Sequence, residues 1–309
     1  MPQSRAYFTT YLASMNISHQ MRQHSFHTAK QALIDKVKNR GDLPCASIDY
    51  QLELIQQLSE FGLGQFLIGR GGLNGYWTHY IISHPEKKHE RQLYPLEAFL
   101  LNHAPICLAT QQRFIHFKAA ITLQIANGCS FASIPSGLMA EFLDLDYTDI
   151  DSFTLHGFDL DPETLIQAKS YAAEKGLESR CEFHQKDAWS LDAVDEFDLI
   201  ASNGLTIYEP DDTKVVTLYH KFYNALKKGG TLVTSALEPA LEPLGPNSQI
   251  DPKSALLQKI LFVDILDVKW QVFRSEELVR AQLSSAGFTQ IHVQYDEAHL
   301  FPTFIAKKE

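Results

Sequence analysis

Cysteine is scarce in this 309-residue chain: Cys45, Cys107, Cys129 and Cys181 form no Cys-x-x-Cys pair and fall in regular segments. That pattern suits reduced thiols and argues against a disulfide framework or a thiolate metal cluster. Long apolar runs are missing too. Nothing approaches the ~20 residues of a membrane-crossing helix, so no membrane partner is expected. The opening MPQSRAYFTTYLASMNISHQ lacks the continuous apolar stretch of a secretory signal, which leads to the expectation of a cytoplasmic chain. Basic clusters are absent as well. Residues 1–120 hold 12 Lys+Arg against 8 Asp+Glu and the remainder 15 against 29, so the formal charge of -10 is carried by the second part. A mildly basic segment with no Lys/Arg cluster is not the footprint of a nucleic-acid binder, and no nucleic acid is expected as partner. Histidines are present at His24, His27, His79, His84 and His89, but no Cys pair or His-Glu-x-x-His helix accompanies them, and no metal is expected.

What the chain does contain begins with helix. Thr28 to Arg40 ends at Gly41, and Tyr50 to Phe61 carries Leu52, Ile55 and Leu58 at helical spacing, with Asp49 as the expected cap and Gly62 as the stop. FGLGQFLIGRGGLNGYWTHYIISHPEKKHER, residues 61–91, reads as a loop-rich stretch because of Gly69, Gly71, Gly72 and Gly75. Helix resumes at Pro95, and another, Thr110 to Ala126, presents Phe114, Phe117 and Ile121 on one face before stopping at Asn127-Gly128. There are no internal repeats.

The stretch from Cys129 to Ala173 organises the rest. A small-residue strand (Cys129 to Ile134) turns at Pro135-Ser136-Gly137 into a helical segment. A second strand, Phe153 to Phe158, ends in Asp159, about 22 positions after Gly137, where dinucleotide-type folds keep the carboxylate that takes hydrogen bonds from ribose hydroxyls. The next helix has Asp161 to cap it, Pro162 at its first position and Gly176 to end it. Such a strand-loop-helix-strand-acid unit binds a nucleoside-containing cofactor at the carboxyl ends of its strands.

Strands and helices then alternate, which argues an α/β fold with a parallel sheet. Further strands are expected at Cys181 to Gln185, Phe197 to Ala201 and Thr231 to Ala236, with helices over Asp212 to Lys228 and, capped by Ser275, Ser275 to Ala286. Gln290 to Tyr295 and Phe301 to Ala306 are separated by too few residues for a parallel crossover, so the sheet should finish with an antiparallel strand.

In that order these elements resemble the class I, Rossmann-like S-adenosylmethionine-dependent methyltransferases. The resemblance covers about residues 120–309 and rests on SIPSGLM at Ser133 to Met139, HGFDLDPETLIQAK, EFHQKDAW, FDLIASNGLTIYEPDD, LKKGGTLV and the final SSAGF with its hairpin. It implies a mostly parallel seven-stranded sheet with an antiparallel last strand over residues 128–309, a mainly helical cap over residues 1–127, and a lid insertion at 238–274. It also implies S-adenosyl-L-methionine as cofactor. Ser133, Pro135 and Gly137 would form its loop, Asp159 and Leu160 would meet the ribose end, Asp187 and Ala188 would flank the adenine, and Asn203 would sit at the strand end. Tyr76 is a candidate to cover the cofactor and Arg113 to clamp its carboxylate. At the acid position of the family's acid-x-Gly-x-Gly-x-Gly loop stands Ser133, and at its first glycine Pro135, which has no N–H to offer.

Methyl transfer to a small organic acceptor is the activity so implied. Where that acceptor is a phenol, hydroxyl or carboxylate, a base near the methyl group helps, and Tyr208, Glu209 and His116 are the candidate catalytic residues. Asn203-Gly204-Leu205-Thr206 stands where DNA amine methylases carry Asn/Asp-Pro-Pro-aromatic. Trp77, Tyr80, Phe114, Phe117, Trp270 and Phe273, with a Leu256/Ile260/Val263 helix face, are expected to enclose the acceptor. The altered first loop favours an alternative, a non-catalytic cofactor-binding or interaction protein. A nicotinamide-dependent oxidoreductase would want more glycines in that loop and further parallel strands in place of the hairpin.

Overall fold

The computed structural model describes residues 26–87, 91–238, 250–268 and 272–309. They form two compact units, one of residues 26–73, 91–100 and 256–268, the other of residues 74–87, 101–238, 250–255 and 272–309.

In the first unit α1 (residues 26–40) is followed by α2 (Ile48–Leu58) and α3 (Gly62–Arg70). The cap of α2 is Ser47, whose hydroxyl accepts from the Tyr50 N–H, and not Asp49, which lies inside the first turn. Leu54, Ile55, Leu58, Leu63 and Leu67 are buried together with Gln51, whose amide donates to the carbonyl of Ala46 at 2.9 Å. The expected loop over 61–91 is instead α3 and, in the second unit, α4 (Gly75–Lys87), and the helix expected from Pro95 is α5 (Pro95–Asn102). Of the glycines behind the expected loop, Gly71 does turn the chain, ending α3 with φ 68°, but Gly69 lies inside α3 and Gly75 opens α4.

The second unit is built on a seven-stranded sheet: β1 (Cys129–Ser133), β2 (Phe153–Asp159), β3 (Cys181–Gln185), β4 (Phe197–Ser202), β5 (Leu226–Ser235), β6 (Thr289–Gln294) and β7 (Thr303–Lys307), in the order β3-β2-β1-β4-β5-β7-β6. Strands β1 to β5 pair in parallel and β7 runs antiparallel to both β5 and β6, so the expected reversal at the end of the chain is present. Period-two alternation sends Ile200, Leu232 and Phe304 to one face, under α9 (Asp212–Ala225) and α11 (Glu276–Ser285). Phe131, Leu155, Leu199 and Val233 face the other way, against α6 (Pro105–Thr122) and the short α7 (Ala140–Leu143). The helix before β1 thus starts five residues earlier than Thr110, with Pro105 in its first turn, and ends before Ala126.

Helix α8 (Pro162–Glu174) has the expected start, with the Asp161 carboxylate accepting from the Glu163 N–H. Helix α9 ends at Ala225 rather than Lys228. The backbone of the Lys-Lys-Gly-Gly run turns instead to the chain's end, Gly229 donating to the Lys308 carbonyl and Lys308 to that of Gly230, so β5 begins at Leu226. Residues 239–249 of the expected lid insertion and Trp270 lie outside the described residues, as do His24 and His89. Of the expected lid face on α10 (Pro252–Lys259) and the π-helical turn after it (Ile260–Ile265), Ile260 is buried, whereas Leu256 and Val263 are exposed, and so is Phe273.

Candidate functional site

The carboxyl ends of β1, β2 and β4 gather most of the residues singled out above. Beyond β1 the Ile134–Pro135 peptide is cis, and Ser136 donates its N–H to the Phe158 carbonyl, which fastens the loop to the end of β2. Gly137 has φ 48°, and the place of a Cβ on it is open space, so the backbone is bare on that side. Its N–H donates to one oxygen of Asp159 at 3.2 Å, while the N–H of Asp161 donates to the other at 3.0 Å. Burial raises the Asp159 pKa from its usual value, and these two bonds act against that rise. Two residues after Gly137, at the last glycine position of the family's loop, stands Met139 with φ 56°, fully buried. Gly157 on β2 accommodates it, since a Cβ there would lie 2.5 Å from the Met139 sulfur.

A carboxyl group reaches position 133 from elsewhere in the chain. Ser133 is buried, and its hydroxyl donates to the Glu141 carboxylate in the first turn of α7. Burial pushes the Glu141 carboxyl up to about 7, against the Ser133 bond that favours its charged form. Sequence reasoning missed Glu141 because an acid eight residues beyond the expected position is unremarkable until a short helix turns it back.

Around this edge, Leu160 projects into solvent directly after Asp159, and Ala188 is buried beside Asp187. One Asp187 oxygen accepts from the Trp189 N–H as the cap of a short 3-10 turn. Asn203 accepts from the Ser235 hydroxyl at 3.1 Å. Helix α4 begins against the first loop: a Cβ on Gly75 would stand 3.3 Å from the Gly137 Cα, which brings the Tyr76 backbone close to that loop. Tyr76 and Trp77 meet edge to face at 5.0 Å, as do Trp77 and Tyr80 at 5.4 Å. Phe114 and Phe117, expected to line a cavity, are buried core residues of α6. A separate 720 Å³ polar pocket, lined by residues such as Lys118, Asp144, Lys175 and Arg180, opens where β2 begins and takes in none of the candidate residues.

Arg113 and His116 on α6 form a second group with the β6–β7 connection and Tyr208. The Arg113 guanidinium lies 4.2 Å from the centre of the Phe301 ring, and its buried Nε has no hydrogen-bond partner among the described residues. Burial pulls its pKa down to about 10, with Tyr208 and Asp296 acting the other way. The His116 Nδ1 is likewise enclosed without a partner, and burial keeps the ring below its usual value despite Asp296. Asp296 itself is buried and accepts from the N–H groups of Ala298, Leu300 and Phe301. Tyr208 is 63% exposed. Glu209 is committed differently: one carboxylate oxygen accepts from the Asp211 N–H at 2.9 Å and the other faces the Lys214 ammonium at 3.5 Å. The loop holding both residues is pinned from beneath by Arg274, which is 2% exposed and donates to Asp212 and to the carbonyls of Thr206 and Glu209. No pattern in the sequence marked Arg274, because its partners are carbonyls more than sixty residues away.

Comparison with known proteins bears on this arrangement. A methyltransferase-domain family model matches residues 136–230, from the first loop into β5. A protein from Bordetella parapertussis described as a "possible exported protein" is 40% identical, with a TM-score of 0.86 over 94% of this chain and 98% of its own. Magnesium protoporphyrin IX methyltransferase from Synechocystis PCC 6803, solved with bound S-adenosylhomocysteine, shares the fold at 13% identity and a TM-score of 0.53, covering 76% of this chain and 94% of its own. No curated protein matches in sequence. The expectation of a cytoplasmic chain is overturned by the Bordetella relative, although no described helix is long and apolar enough to cross a membrane. With one reversed strand closing a sheet of order 3-2-1-4-5-7-6, and with the methyltransferase-domain match spanning its central strands, the second unit has the fold of the class I S-adenosylmethionine-dependent methyltransferases.

Proposed function

We propose that the chain transfers a methyl group from S-adenosylmethionine to an oxygen or nitrogen atom of a small organic acceptor. The observation that carries this reading is the Asp159 carboxylate, oriented by two backbone N–H groups at the strand edge beside the open face of Gly137. Such a carboxylate suits a ribose diol, exposed Leu160 offers an apolar surface beside it, and the resemblance assigns Asp187 and Ala188 to the adenine. For the amino-acid end, Glu141 replaces the acid absent at Ser133 as the group that faces an ammonium. The cofactor supplies an electrophilic methyl on a sulfonium, so the protein's task is alignment and exclusion of water. Tyr208 and His116 are the groups that would orient an acceptor or take its proton. His116, kept largely neutral at pH 7 by burial, can accept one. Arg113, with its Nε unpartnered, favours an acceptor or cofactor carboxylate.

The test uses methyl-labelled S-adenosylmethionine with fractionated small-molecule extract, protein and nucleic acid as competing acceptors. Label should enter the small-molecule fraction and fall at least tenfold in His116→Gln; label confined to protein or nucleic acid would contradict the proposal. Pro135 in the first loop favours a second reading, a cofactor-binding protein without catalysis, which expects binding and no transfer to any fraction.

A further inference from the structure

Away from the carboxyl edge, parallel pairing sets His156 of β2 opposite Glu182 of β3, and His184 lies two residues further along β3 on the same face. The three side chains converge. His156 Nδ1 is 3.5 Å from His184 Nε2, the Glu182 carboxylate is 3.6 Å from the first ring and 3.8 Å from the second, and each residue thus offers one ligand atom to a common point. A triangle of those sides has its centre about 2.1 Å from all three atoms, which is the bond length zinc makes to imidazole nitrogen and carboxylate oxygen.

We propose that His156, Glu182 and His184 bind a divalent transition-metal ion of the zinc class, which clamps the edge strand β3 to β2. Two imidazoles and a carboxylate are a donor set that zinc accepts readily, and Mg²⁺ or Ca²⁺ do not favour it. The rings are held in place before any ion arrives. Phe158 stacks on His184 with centroids 4.5 Å apart, and Phe197 packs at a tilt against buried His156 at 5.2 Å. Glu182 is exposed and β3 is the sheet's outermost strand, so solvent can complete the coordination. Neither histidine belongs to the group that sequence patterns bring to attention, because the two ligands on β3 and the one on β2 meet only through strand register.

The experiment takes the full chain, dialysed against chelator, and titrates it with zinc chloride by calorimetry. Substitution with Co²⁺ then reports the geometry through visible absorption. One zinc ion per chain is expected, with cobalt bands of four-coordinate intensity. Glu182→Gln, at an exposed position that leaves the fold intact, and His184→Gln should each weaken zinc by at least the ten- to hundred-fold that even an outer-shell loss costs. Zinc should also raise the melting temperature of the wild type and leave that of His184→Gln unmoved. Equal affinity in all three proteins, or no binding at micromolar zinc, overturns the proposal. None of these readouts depends on methyl transfer.

Discussion

A buried-side carboxyl with a raised pKa leaves a mark on stability, and Glu141 is the residue at which to look. Its folded value of about 7 lies above the ordinary 4.5, so between those two pH values the folded protein holds a proton that the unfolded chain has released. Stability conferred by the protonated state is therefore complete below about pH 4.5 and declines as pH rises through 7. Glu141→Gln carries a permanently neutral group in the same space. Urea midpoints at pH 5 and pH 8 should show the variant gaining on the wild type at the higher pH, while parallel shifts at both values would mean that the carboxyl is not buried as described. At this scale the sequence was partly readable. Asp159 was legible because a strand end, a capping Asp161 and Pro162 surround it in the chain, whereas Glu141 and Ser133 meet only after a turn of helix.

Elements were easier to place than their ends. The strands of the sheet were all legible from alternation and spacing, since each is buried on both faces or bounded by turn residues. Helices α3 and α4 were hidden by glycines, because local composition cannot distinguish Gly71, which turns the chain at the end of α3, from Gly69 and Gly75, which lie in helix. The loop between β4 and α9 is a further case, because its shape depends on Arg274, more than sixty residues along the chain. Arg274→Ala leaves the Thr206 and Glu209 carbonyls without their donor and should cost about 2–4 kcal/mol. Arg274→Lys should recover only part of this, since an ammonium cannot serve three acceptors in the plane of a guanidinium. Denaturant unfolding checks both; a loss below 0.5 kcal/mol, the usual bound for an inconsequential surface change, would show that the loop does not depend on this clamp.

For the molecule as a whole, the order of elements conveyed the architecture more securely than any single motif, because a sheet with a reversed final strand restricts the topologies that fit. The first loop departs from the pattern of the family it resembles at Ser133, Pro135 and Met139, and two of these departures have structural counterparts: Glu141 reaches Ser133, and Gly157 yields to Met139. What remains central is whether this remodelled edge still holds the cofactor through Asp159. Titration calorimetry of S-adenosylhomocysteine into the wild type and Asp159→Ala tests it most directly. A carboxylate bonded to both ribose hydroxyls contributes charge-assisted bonds of ~1.5–3 kcal/mol each, so the wild type should bind and the variant bind ten- to a hundred-fold more weakly, with a nearly unchanged melting temperature. Equal affinity in the two proteins, or no heat with the wild type at millimolar ligand, would contradict the account.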